Sequence, residues 1–90
     1  MNTFLVSYDL IRPGKDYSTL HHHLKSYSNW AKPLESLWLI KSSLTAEQLR
    51  NTVQQYLDAN DKILIIDVTD RAAAWKNLGV NVSTWIKNNL

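Results

Sequence analysis

The chain contains no cysteine in its 90 residues. A disulfide framework and thiolate chemistry are therefore excluded, and the absence is compatible with a reducing cytoplasm. Glycine and proline are scarce, two of each, so a glycine-rich phosphate cradle is excluded as well. No P-loop, Gly-x-Gly-x-x-Gly, His-Glu-x-x-His or nucleophile elbow occurs. No apolar run approaches the roughly 20 residues that cross a bilayer. The N-terminus lacks the basic stretch and long apolar run of a signal peptide. A cytoplasmic protein without membrane contact is expected.

What remains is an ordinary globular composition, 44% apolar and 20% charged. A single domain over 1–90 is expected, with a core modest enough that a partner subunit would add stability. The net charge of +2 and pI near 9.0 lie where a nucleic-acid partner becomes worth considering. The ten Lys and Arg are scattered, which equally fits a mixed-charge surface.

The stretch Phe4-Leu-Val-Ser-Tyr-Asp9 organises the chain. Alternation predicts a first strand over 2–9, with Phe4, Val6 and Tyr8 on one face and Leu5, Ser7 and Asp9 on the other. Pro13-Gly14 marks the following turn, which carries Arg12 and Lys15. A helix is predicted over 17–27, with Asp16 as cap and Tyr17, Leu20, Leu24 and Tyr27 as its buried stripe. Strands follow at 29–33 and 36–41; Pro33 places the former at a sheet edge or a bulge. In the latter, Leu37 and Leu39 share one face and Trp38 and Ile40 the other.

A second helix announces its start with a capping box, Thr45 and Gln48, and a staple, Leu44 and Leu49. Its apolar stripe runs through Ala46, Val53, Tyr56 and Leu57. A fourth strand is predicted over 62–68. The tail, 69–90, reads as two short helices, 71–77 behind an Asp70 cap and 83–89 behind Asn81 or Ser83. The β-α-β-β-α-β order over 2–68 predicts an α+β domain, ferredoxin-like, with an antiparallel sheet, two helices on one face and a helical C-terminal tail. Strands one, three and four are apolar on both faces. The second face therefore needs a cover, and a second copy of the chain is the simplest one, hence a homodimer packed at least partly through the sheet.

In the strand order 4-1-3-2, with the first and third strands taken as parallel, one edge gathers Asp9, Ser42, Ser43, Asp61 and Lys62 beside Arg12 and Lys15. A carboxylate among hydroxyls suits a hard cation such as Mg²⁺, and the neighbouring bases suit a phosphate backbone. Two Asp9 side chains of a symmetric dimer are then placed to share one metal. The competing role for Asp9 is structural, accepting backbone N–H groups of the next turn. His21-His22-His23 splay about 100° apart on a helix and do not converge on one ion. Asp67 is unexpected on an otherwise apolar strand, and Glu35 reads as a solvated turn residue. The four tryptophans read chiefly as packing, Trp38 in the core or a dimer interface, Trp75 and Trp85 as anchors of the tail. Aromatics interleaved with bases also stack nucleobases.

Phe4-Leu-Val-Ser-Tyr-Asp-Leu10 resembles the first strand of the small CRISPR-associated Cas-two proteins, and Ser36-Leu37-Trp38 resembles their Ser-x-Phe strand. Tyr8-Asp9-Leu10, Arg12-Pro13-Gly14, Asp16-Tyr17 and Leu34-Glu35-Ser36-Leu37-Trp38 are similar still more closely to short SinR-like members of that superfamily. The resemblance implies a ferredoxin-like homodimer. It implies that Asp9 lies near its dimer mate and serves metal-dependent phosphodiester cleavage with Mg²⁺ or Mn²⁺. Other members bridge DNA-integrating partners without cleavage, and the related VapD-type toxins are ribonucleases. The chain departs from the pattern in lacking an arginine-rich start to its first helix, in Trp38, and in a helical tail where the family swaps a strand. A metal-dependent endonuclease or endoribonuclease is therefore one expectation, with Arg12 and Lys15 steering nucleic acid. A non-catalytic dimeric module for nucleic acid or a protein partner, with a structural Asp9, is the other.

Overall fold

The computed structural model describes residues 1–11 and 17–90. It is an α+β domain: a four-stranded antiparallel sheet with three α-helices. The strands are β1 (Asn2–Asp9), β2 (Trp30–Leu34), β3 (Leu37–Ser42) and β4 (Lys62–Asp67), in the order β2-β3-β1-β4. The helices are α1 (Ser18–Lys25), α2 (Ala46–Val53), extended by a 3₁₀ turn at Gln54–Tyr56, and α3 (Val80–Asn89). Among the described residues no helix is long and apolar enough to cross a membrane.

The alternation of β1 divides the molecule. Phe4, Val6 and Tyr8 are buried, joined by Trp38 and Ile40 of β3, and against them lie Leu20 and Leu24 of α1 and Leu49 and Val53 of α2. Tyr17 closes one end of this core. The Trp38 indole N–H donates to the Tyr8 hydroxyl at 3.0 Å, so the largest buried side chain also satisfies its polar atom. Trp38 thus takes the core among its expected places. Lys32 lies over its ring at 5.5 Å.

α2 begins as its sequence dictates. The Thr45 hydroxyl accepts from the Gln48 N–H at 3.1 Å, and the Gln48 side chain accepts from the Thr45 N–H at 3.0 Å. β2 is an edge strand, and its register against β3 shifts between Ala31 and Leu34, around Pro33, as a residue without an N–H requires. The expected Asp16 cap and Pro13-Gly14 turn lie outside the described residues.

Two expectations are corrected. β1 and β3 run antiparallel, not parallel, with Asn2 opposite Ser42 and Ser7 opposite Leu37. The reason is topological. The crossover through α1 returns β2 parallel to β1, and the tight β2–β3 turn then reverses the chain. The second correction concerns the tail. Residues 71–77 form no helix. Asp70 and Asn77 adopt left-handed backbone, φ 58° and 63°, which interrupts a helix and which Asp and Asn tolerate better than most residues. A seven-residue helix is marginal by itself, and here tertiary contacts decide. The Trp75 indole donates to the Ser83 hydroxyl at 3.0 Å, drawing the irregular strap between β4 and α3, residues 68–79, onto α3. Ser83 therefore caps nothing. α3 starts three residues earlier, from Gly79 at φ 77°, ψ 164°, a conformation essentially confined to glycine.

α3 is held by a polar chain. The Thr3 hydroxyl donates to the Asn89 carbonyl at 2.6 Å. The Asn29 amide donates to Asn89 Oδ1 at 2.7 Å, and the Trp85 indole donates to Asn29 Oδ1 at 2.7 Å. The strap and α3 thereby cover the β2–β3 side of the second sheet face, burying Leu39 and half-burying Leu5 and Leu37. On the β4 side, Leu64 and Ile66 remain 57% and 45% exposed. The cover expected from a second copy is thus partly supplied by the chain itself.

Candidate functional site

β1 carries Asp9 to the end of the sheet, on the same face as Leu5 and Ser7. In the antiparallel register Asp9 stands opposite Lys62, and Ser7 stands opposite Leu64 on one side and Leu37 on the other. Asp9, Lys62, Ser7 and the exposed Leu64 line one shallow depression. Asp9 is exposed, and its carboxylate makes no hydrogen bond or ion pair among the described residues.

The neighbouring Asp61 behaves differently. Its carboxylate accepts from the Ile11 N–H at 3.0 Å, from the Tyr17 hydroxyl at 2.9 and 3.1 Å, and from the Asp58 N–H at 2.8 Å. It ties the exit of β1, the entry of α1 and the turn before β4 into one knot.

The direction of β3 rearranges the expected cluster. Asp9, Asp61 and Lys62 are brought together. Ser42 and Ser43 are not: Ser42 sits opposite Asn2, seven residues along β1 from Asp9, about 23 Å at strand spacing. Ser42 is buried and its hydroxyl accepts from the Leu44 N–H at 3.1 Å, a role in starting α2. In their place the β2–β3 turn arrives. The Ser36 carbonyl accepts from the Tyr8 N–H at 3.2 Å, which sets Ser36 beside the end of β1. Glu35, in the same turn and exposed as expected, is a second carboxylate at this end of the sheet. Its charge is felt at Tyr8, whose pKa is raised first by burial, against the Trp38 hydrogen bond, and then by Glu35. The signal that would have found it is the register itself: an antiparallel β3 must bring its leading turn to Asp9. Arg12 and Lys15 lie outside the described residues.

The three histidines disperse as their helical spacing requires. His21 stacks toward Trp38 with ring centres 6.2 Å apart. His22 is exposed. His23 stacks on Tyr56 at 4.4 Å and shares a 3.0 Å hydrogen bond with the Tyr27 hydroxyl. Burial lowers the His23 pKa. Asp67, at the far end of β4, accepts from Asn2 at 2.8 Å and from the Thr69 hydroxyl at 2.6 Å. The Thr69 bonds, chiefly, lower its pKa. It closes the sheet where the strap departs.

For a hard divalent cation the fit is partial within one chain. Asp9 and the Ser7 hydroxyl, which line one depression, offer oxygen donors of the right kind. Among the described residues, however, no three His, Asp or Glu side chains form a group able to hold an ion. No protein-family model matches the chain.

Proposed function

We propose that this chain is a Cas-two-like, ferredoxin-like homodimer that acts in the cytoplasm as a metal-dependent nuclease, with Asp9 as the metal-bearing residue. The observation that carries the reading is the division of labour between two neighbouring carboxylates. Asp61 holds the turn, and Asp9 stands exposed at the strand end with a lysine opposite. The interleaving of strands and helices and the order β2-β3-β1-β4 support the ferredoxin-like assignment.

The same face supports self-association. Leu64 lies two residue pairs along β1 and β4 from Asp9, on the same face, and is exposed with Ile66. Pairing two copies through this apolar strip buries it and brings the two Asp9 side chains toward the two-fold axis. The mate's Asp9 then supplies the carboxylate that a single chain lacks. The two Asp9 carboxylates would hold Mg²⁺ or Mn²⁺, which when bound would supply Lewis-acid polarisation of a phosphate and a more acidic water. Lys62, with Arg12 and Lys15, attracts and positions the phosphate backbone. Trp38, enclosed in the core, contributes rigidity rather than stacking.

A second reading is favoured by one observation. A lysine directly opposite Asp9 is also what a purely structural cross-strand pair looks like. In that case the dimer binds nucleic acid or a protein and cuts nothing. Incubating the purified chain with labelled single- and double-stranded RNA and DNA in Mg²⁺, Mn²⁺ or EDTA separates the two. The nuclease reading expects metal-dependent cutting that disappears in Asp9→Asn. Intact substrates under every condition remove it in favour of the binding module.

A further inference from the structure

The strap and α3 do not lie flat on the sheet. Between them and β2–β3 is a hollow of about 420 Å³, within the range of small-molecule sites. Its floor is apolar, formed by Leu5, Leu37 and Leu39, and its far wall by Trp75, Leu78 and Ile86. The charged side chains in its lining are Arg71 and Lys76, both cationic and both exposed on the strap. Arg71 is near enough to Asp67 to act on that carboxylate's pKa, whereas Lys76 has no ion-pair partner among the described residues. The hollow is thus apolar within, its charged side chains are both cationic, and Leu90 also lines it.

A second feature points the same way. Arg71-Ala-Ala-Ala-Trp-Lys76 has high helix propensity, yet the strap is irregular. Conflict between local preference and the adopted conformation concentrates at sites with a function.

We infer that this hollow binds a small amphiphilic anion, an aliphatic carboxylate whose chain lies on Leu5, Leu37 and Leu39 and whose head group meets Arg71 and Lys76. The site is independent of Asp9, lies on the opposite flank of the same sheet face, and stands or falls apart from the nuclease reading.

Calorimetric titration of the full chain with octanoate, decanoate and dodecanoate, each below its micelle concentration, tests this. Saturable binding is expected, with affinity rising about fourfold per added methylene until the hollow is full. The Trp75 fluorescence should shift on binding, and the shift should vanish in Trp75→Phe. The paired change Arg71→Gln with Lys76→Gln should weaken decanoate about tenfold while leaving 1-decanol unaffected. No saturable binding overturns the proposal. Equal affinity for decanoate and decanol, or no effect of the paired change, overturns the assignment of an anion. Dissociation of a dimer by decanoate, seen in sedimentation, would give the hollow to a second copy instead.

Discussion

Replacing Asp61 by asparagine should damage the fold, while the same change at Asp9 should not. The Asp61 carboxylate accepts from two backbone N–H groups and from the Tyr17 hydroxyl, at 2.8 to 3.0 Å for the closest approach of each. Asparagine keeps the shape but turns one oxygen into a donor. At least one of the three donors then faces another donor, and the rest lose their charged acceptor. Hydrogen bonds to charged groups are worth about 1.5–3 kcal/mol each. Asp61 is half-buried, so water replaces part of the loss. The net cost should be about 2 kcal/mol, which for a domain of this size lowers Tm by about 10 °C. Asp9→Asn removes an exposed carboxylate that makes no hydrogen bond among the described residues and should stay within about 0.5 kcal/mol of wild type. Urea unfolding followed by tryptophan fluorescence measures both. Equal losses, or a larger loss at Asp9, would refute the division of labour between the two carboxylates.

Gly79→Ala should cost about 1–3 kcal/mol in chemical denaturation, because the backbone at φ 77° is strained for alanine although nothing lies within 4 Å of the added Cβ. Thr45→Ala should cost about 1 kcal/mol, read the same way, since it removes the hydroxyl that caps α2. Asn29→Ala should speed hydrogen exchange in α3 selectively, because Asn29 joins Trp85 to Asn89. Stability should fall as pH drops below about 6.5, because the folded chain holds His23 neutral to a lower pH than the unfolded chain does. The loss should be complete once pH has passed the lowered folded value, and His23→Gln should flatten that part of the pH profile.

Local chemistry was legible and long-range chemistry was not. The capping box at Thr45 and Gln48 is contained in four residues, and it forms as read. The alternation of Phe4, Val6 and Tyr8 announces a buried face, and helices α1 and α2 cover it. Pro33 announces an edge and a bulge because it lacks a donor. The strap shows the limit. Its three alanines favour a helix, but Asn77, Gly79 and the Trp75–Ser83 bond fix a different path. At the candidate site, Asp9 was visible as a carboxylate ending an apolar strand. The role of Asp61 was not, because two of its donors, Ile11 and Tyr17, are 50 and 44 residues away. Ser42 and Ser43 were misplaced by a single error in strand direction, which moved the β2–β3 turn, and Glu35 with it, out of view.

Counting metal ions per chain tests the central reading most directly. Mn²⁺ titrated into the purified chain and followed by electron paramagnetic resonance reports bound and free ion, while sedimentation of the same samples reports the oligomer. The account predicts one Mn²⁺ per two chains, a dimer that persists in EDTA, and loss of the bound ion in Asp9→Asn with the dimer unchanged. Mn²⁺ bound equally well by Asp9→Asn, or not bound by a wild-type dimer, would contradict it.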